Sequence, residues 1–156
     1  MDIGNQIGRL HSVETFGALD GPGIRYILFL QGCPLRCQYC HNPDTWDHSA
    51  GKTISSQEAF QDILRYRNFI ASGGVTLSGG EPLLQPDFCR QVIDLCHQEG
   101  IHCAIDTSGS IPLSSCKSAV DAADLLLLDI KALDINLCKE LTGQDNRNEL
   151  ELLSYC

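Results

Sequence analysis

The chain has 156 residues, 43% of them hydrophobic and 20% charged, the make-up of a globular protein long enough to bury a core of its own. Eleven basic against twenty acidic side chains give a formal charge of -9, which repels a phosphate backbone and argues against a nucleic-acid partner. No apolar run approaches the ~20 residues of a membrane-spanning helix, so no membrane partner is expected.

Residues Ile7 to Thr15 alternate in part between apolar and polar, as a half-exposed strand does. His11 there reads as a hydrogen-bonded strand residue rather than a ligand. Gly17 to Gly23, with Pro22, turns the chain into Tyr26-Ile27-Leu28-Phe29-Leu30, a buried strand of a parallel sheet. The loop that follows carries Cys33, Cys37 and Cys40 at a C-x3-C-x2-C spacing. Thiolates this close can surround one metal centre, and a four-iron cluster held by three of them keeps one iron open. A zinc site completed by His41 uses the same ligand types. Nine cysteines is an odd count, and no leader is read ahead of them, which argues against disulfides and for a reducing cytoplasm. A catalytic thiol pair would leave the third cysteine unexplained.

Trp46 to Thr53 reads as a polar loop. Ser55 or Ser56 then caps a helix with Glu58 in its first turn, with an apolar stripe of Ala59, Phe60, Ile63, Leu64, Phe69 and Ile70, ended by Gly73-Gly74. Val75 to Ser78 forms a strand that runs into Gly79-Gly80-Glu81-Pro82, a strand-to-helix turn whose glycines also suit close approach to a ligand. The unit repeats. A helix from Asp87 to Gln98 precedes a strand from Ile101 to Asp106, which ends in Asp106-Thr107-Ser108-Gly109. A weaker helix, Ser114 to Ala122, precedes Leu125-Leu126-Leu127-Leu128, which ends in Asp129-Ile130-Lys131. Helices near Asn136 to Gly143 and Arg147 to Tyr155 follow. Strands separated by helices imply a parallel sheet with right-handed crossovers and its polar motifs on one rim. Read alone, Asp129 and Lys131 are charges solvating a strand end. Cys89, Cys96, Cys103, Cys116, Cys138 and Cys156 do not cluster and read mostly as buried apolar filler.

The cysteine motif, with Tyr39 just before its last thiol, resembles the cluster motif of radical S-adenosylmethionine enzymes. Asp20-Gly21-Pro22-Gly23-Ile24-Arg25 and Tyr39-Cys40-His41-Asn42-Pro43-Asp44-Thr45-Trp46 narrow the resemblance to the glycyl-radical-enzyme activases, nearest the type that serves pyruvate formate-lyase. It runs from about Ile7 to the end of the chain. The resemblance implies an α/β fold: a partial TIM barrel of the radical S-adenosylmethionine type with about four of six βα units, a single domain over residues 1–156 that is incomplete at its C-terminus. The missing units would leave an unpaired apolar edge at Leu125 to Leu128.

The resemblance further implies a [4Fe-4S] cluster on Cys33, Cys37 and Cys40, with S-adenosylmethionine chelating the free iron. Tyr39 and His41, flanking Cys40, would approach the adenine, Gly80 would receive the methionine amino group, and Asp129, Ile130 and Lys131 would add contacts. Asp106 and Thr107, with Asp129, match positions that hold a monovalent cation. The implied reaction passes one electron from the cluster to the sulfonium. The resulting 5′-deoxyadenosyl radical takes a hydrogen from a glycine Cα of pyruvate formate-lyase, and a flavodoxin- or ferredoxin-type donor supplies the electron. No general acid or base is needed. No cysteine occurs between Cys40 and Cys89, which sets aside activases with a cysteine-rich insert. An anaerobic ribonucleotide reductase activase, and a metal-binding remnant without turnover, stand as alternatives.

Overall fold

A computed structural model describes residues 4–156. Its strands are β1 (Ile7–Gly17), β2 (Arg25–Leu30), β3 (Lys52–Ser55), β4 (Gly74–Gly79), β5 (Cys103–Thr107) and β6 (Leu125–Leu128). Its helices are α1 (Ser56–Arg65), α2 (Pro86–Gln98), α3 (Leu113–Ala122), α4 (Ile135–Thr142) and α5 (Arg147–Tyr155). The strands form one six-stranded sheet in the order β3-β1-β2-β4-β5-β6. β2, β4, β5 and β6 run parallel, as the alternation with helices requires, and their C-terminal ends share a rim. Short apolar strands suit this place because helices cover the sheet. Val75, Leu77, Leu28, Leu30 and Ile105 are sealed from solvent in the main core.

The sheet departs from the all-parallel reading at one edge. β1 pairs antiparallel with β2 on one side and with β3 on the other. β3 falls in what reads as the end of a polar loop, because Lys52-Thr53-Ile54-Ser55 has no apolar run and exists as a strand only through β1. α1 opens as expected, with a capping box in which Ser55 accepts from the Glu58 N–H and the Glu58 carboxylate accepts from the Ser55 N–H. It stops at Arg65, earlier than its apolar stripe suggests. Ile70 is buried beyond the helix, whereas Phe69 is exposed and meets Phe16 in a tilted ring contact with centroids 5.9 Å apart. His11 bonds Asp44 and Ser12 at the surface, as its strand position predicted. At the other edge β6 has a neighbour on one side only, among the described residues, and all four leucines are partly exposed.

Candidate metal and cofactor site

The cysteine loop leaves the end of β2 and is held at both ends by backbone bonds. The Gly32 N–H donates to Thr45 O at 2.7 Å, and the buried Gln31 amide donates to Asp44 O and Asp47 O at 2.8 and 2.9 Å, folding the returning chain onto the start of the loop. Inside it, Cys33, Leu35, Cys37, Cys40 and Trp46 pack as a small apolar cluster of their own. Arg36 lies 5.0 Å over the Trp46 ring and donates to Cys33 O and Leu35 O at 2.7 and 2.8 Å.

A hundred residues further on, α4 ends against this loop. The Arg36 and Gln38 N–H groups donate to Thr142 O and Leu141 O at 2.8 and 2.9 Å, and the Gln38 amide reaches Glu140 O. Carbonyls in the last turn of a helix have no intrahelical partner, so the cysteine loop satisfies donors and acceptors on both sides at once. Gly143, at φ 81, supplies the left-handed cap that turns the chain away.

All three loop thiols are free and line one cleft of about 420 Å3 on the C-terminal rim. The same cleft is walled by Tyr39, His41, Gly80, Asp106, Thr107, Asp129 and Lys131, so the strand-end motifs are brought together there. Ile130 is not part of that wall. Asp20, Ser78 and Trp46, not singled out as contacts by the sequence, also face it. Burial pushes the Cys33 thiol up to about 11 and raises Cys37 as well, with Lys131 pulling Cys37 the other way. A bound cation offsets this cost of burial and favours the thiolate form that ligates it.

Gly80 is required by space rather than by dihedral freedom. A Cβ there would sit 2.3 Å from Gly32 O and 3.1 Å from the Cys33 Cβ. Beside it Glu81 is fully buried yet fully satisfied. Its Oε1 accepts from Thr107 Oγ1 at 2.6 Å and the Leu83 N–H at 3.0 Å, and its Oε2 accepts from the Ser108 hydroxyl at 2.6 Å and N–H at 3.0 Å. Glu81 thus ties the glycine turn after β4 to the loop after β5. Its neighbours in sequence gave no signal of this, because every donor but Leu83 comes from another strand unit. The Thr107 hydroxyl donates to Glu81 and accepts from the Gly109 N–H at 2.9 Å, which leaves one of its two lone pairs for a cation. Asp106 accepts from Ser78 Oγ at 3.0 Å, and burial, then Asp20 and Asp129, push its carboxyl up. Lys131 bonds Asp129 and places its ammonium 5.7 Å from the Tyr39 ring centre. Of the other cysteines, Cys89, Cys96, Cys103, Cys116 and Cys138 are buried, as expected of filler, and Cys156 is exposed.

Residues 19–148 match the family model described as a 4Fe-4S single cluster domain. The chain belongs to this family. Curated relatives include pyruvate formate-lyase-activating enzymes of Clostridium pasteurianum, 47% identical over 90% of this chain and 60% of the relative, and of Listeria monocytogenes, 44% identical over 96% and 63%. The pyruvate formate-lyase 1-activating enzyme of Escherichia coli K12 is 42% identical over 96% and 62%. The chain therefore spans a little over three fifths of the length of the relatives it matches. Among solved structures, Streptococcus suis SuiB bound to S-adenosylmethionine aligns at a TM-score of 0.63, with 23% identity over 80% of this chain and 29% of the other. QueE from Escherichia coli aligns at 0.55, with 18% identity over 77% and 69%. At such identities the likeness speaks for architecture alone: the α/β sheet with helices between its parallel strands is shared with those two proteins.

Proposed function

We propose that this chain is the cluster-bearing part of a radical S-adenosylmethionine activase, acting in the cytoplasm on pyruvate formate-lyase. The observation that carries the reading is the convergence of three free thiols and three further strand-end motifs on one cleft. The donor set fits the implied group: three soft sulfur ligands for a [4Fe-4S] cluster, on a loop fixed from both ends and backed by α4. Identity above 40% to activating enzymes supports the substrate class, and a flavodoxin- or ferredoxin-type donor is the matching source of electrons. When bound, the cluster and S-adenosylmethionine supply a one-electron cleavage of the sulfonium that ends in hydrogen removal from a glycine Cα.

The residues of this chain bind, orient and exclude water. Cys33, Cys37 and Cys40 are the cluster ligands, and Gly80 leaves the cleft open beside Cys33 because no side chain fits there. The turn at Gly80 suits the methionine amino group. Asp20, Asp106 and Asp129 against Lys131 and the thiolates make the cleft acidic, which favours a sulfonium cation. Tyr39 and His41 form the wall for the adenine, with Asp129 and Lys131 closing the far side. Ile130 contributes through its main chain at most, being outside the wall. Leu35 and Trp46 keep the cluster side dry.

Anaerobic reconstitution is the test. About four irons per chain, a reduced-cluster signal that changes on adding S-adenosylmethionine, and release of 5′-deoxyadenosine are expected. Cys37→Ala should abolish iron uptake, whereas Cys116→Ala, on the buried face of α3, should leave it nearly unchanged. Equal loss in both variants would assign the wrong thiols. Formation of a glycyl radical on added pyruvate formate-lyase, and none on an anaerobic ribonucleotide reductase, decides the partner.

A further inference from the structure

At the opposite end of the sheet from the cleft, His97, Cys103 and Asp124 present an imidazole nitrogen, a thiol and a carboxylate oxygen all within 4.8 Å of one another. His97 lies in the last turn of α2, Cys103 opens β5, and Asp124 immediately precedes β6, so three parts of the chain meet there. We propose that this trio binds a divalent, thiophilic ion of the zinc type, independently of the cysteine loop, with water as fourth ligand.

The ligand types select the ion. One thiolate, one imidazole and one carboxylate suit zinc, whereas magnesium or calcium would find too few oxygens. Asp124 is already aimed: its Oδ2 accepts from the Cys103 N–H at 2.7 Å and bonds His97 Nε2 at 2.8 Å, and its Oδ1 makes no hydrogen bond among the described residues. Zinc holds nitrogen and oxygen at about 2.0–2.2 Å and sulfur at about 2.3 Å, so its ligand atoms lie roughly 3.3–3.8 Å apart. The 2.8 Å bond between His97 and Asp124 has to open for the ion to enter, a movement that falls to the exposed His97 side chain, while Cys103 stays in the strand. Thiolate and carboxylate together cancel the charge of the ion. Arg25, the nearby cation, has its guanidinium committed to Thr76 Oγ1, Val75 O and Pro22 O. Asp124 serves the Cys103 N–H with or without metal, so the fold does not depend on the ion. What the ion adds is a tie between α2, β5 and the turn before β6.

The test begins with Cys33, Cys37, Cys40 and the exposed Cys156 all replaced by serine, which removes the loop thiols and the exposed one. Cobalt(II) titration should give thiolate-to-cobalt charge transfer and tetrahedral visible bands that saturate at about one cobalt per chain. Adding His97→Gln or Cys103→Ser should abolish both. In the chain with its iron assembled, zinc equilibration and elemental analysis should find about one zinc beside the iron, lost in His97→Gln. The second measurement decides alone if the serine variant does not fold. Absence of zinc from the iron-loaded chain, or a charge-transfer band that survives either substitution, overturns the proposal. Iron loading is read separately, so failure here leaves the activase reading untouched.

Discussion

Two buried carboxylates show how differently the same side chain can be treated. Burial pushes the Glu81 carboxyl up, and the four donors around it pull the other way and satisfy both of its oxygens. Glu149, in the first turn of α5, is equally sealed, and neither of its oxygens has a hydrogen-bond partner among the described residues. Burial raises the Glu149 carboxyl; the Lys131 main chain and ammonium pull the other way but fall short of hydrogen-bond geometry. A group raised above its unfolded value stabilises the fold fully below that value, about 4.3 for glutamate, and less as pH climbs through the folded value. Glu149→Gln should therefore flatten the fall in stability between acid and neutral pH, read as urea midpoints across that range. An unchanged profile would mean that a partner reaches Glu149 in solution. Gly80→Ala is the complementary change. Its Cβ at 2.3 Å from Gly32 O forces the turn off the Gly32 backbone, at about 1–3 kcal/mol for overpacking. Iron content should fall further than the small loss of stability explains.

At the scale of elements, the contact of α4 with the cysteine loop has the clearest consequence. The carbonyls of Leu141 and Thr142 hold the amides of Arg36 and Gln38, and Gly143 in the left-handed region keeps those carbonyls pointing outward. Gly143→Val puts a β-branched residue where L-residues cost roughly 1–2 kcal/mol. Hydrogen exchange over residues 34–40 should speed up in this variant while exchange in β4 and β5 stays as before. Iron uptake should slow in parallel. Ser55→Ala, by contrast, removes the capping box of α1 at about 1 kcal/mol and touches nothing in the cleft. Its iron loading should match the unaltered chain. That cap was legible in the sequence because Ser55 and Glu58 lie three residues apart. The α4 contact was not, since 36 and 142 are brought together only by the sheet between them.

For the whole molecule, the sheet has one well-covered side and one open edge. β3 ends the sheet beyond β1 with polar residues, but β6 presents four partly exposed leucines and unpaired backbone groups. Such an edge is a template for another strand. Sedimentation at rising concentration should show self-association, and Leu127→Lys, one position off the core-packed Leu126 and Leu128, should reduce it. No described helix is long and apolar enough to cross a membrane. The sequence alone determined the order of the parallel strands and the helices between them, the thiol spacing and the placing of polar motifs at strand ends, because periodicity, caps and ligand spacing are local properties. Tertiary structure alone decided that β3 is a strand, that Phe69 leaves the α1 stripe, that Ile130 misses the cleft, and that Glu81 is satisfied while Glu149 is not. Each of these depends on what a residue meets across the sheet, and contacts between distant segments leave no mark on the spacing of either one.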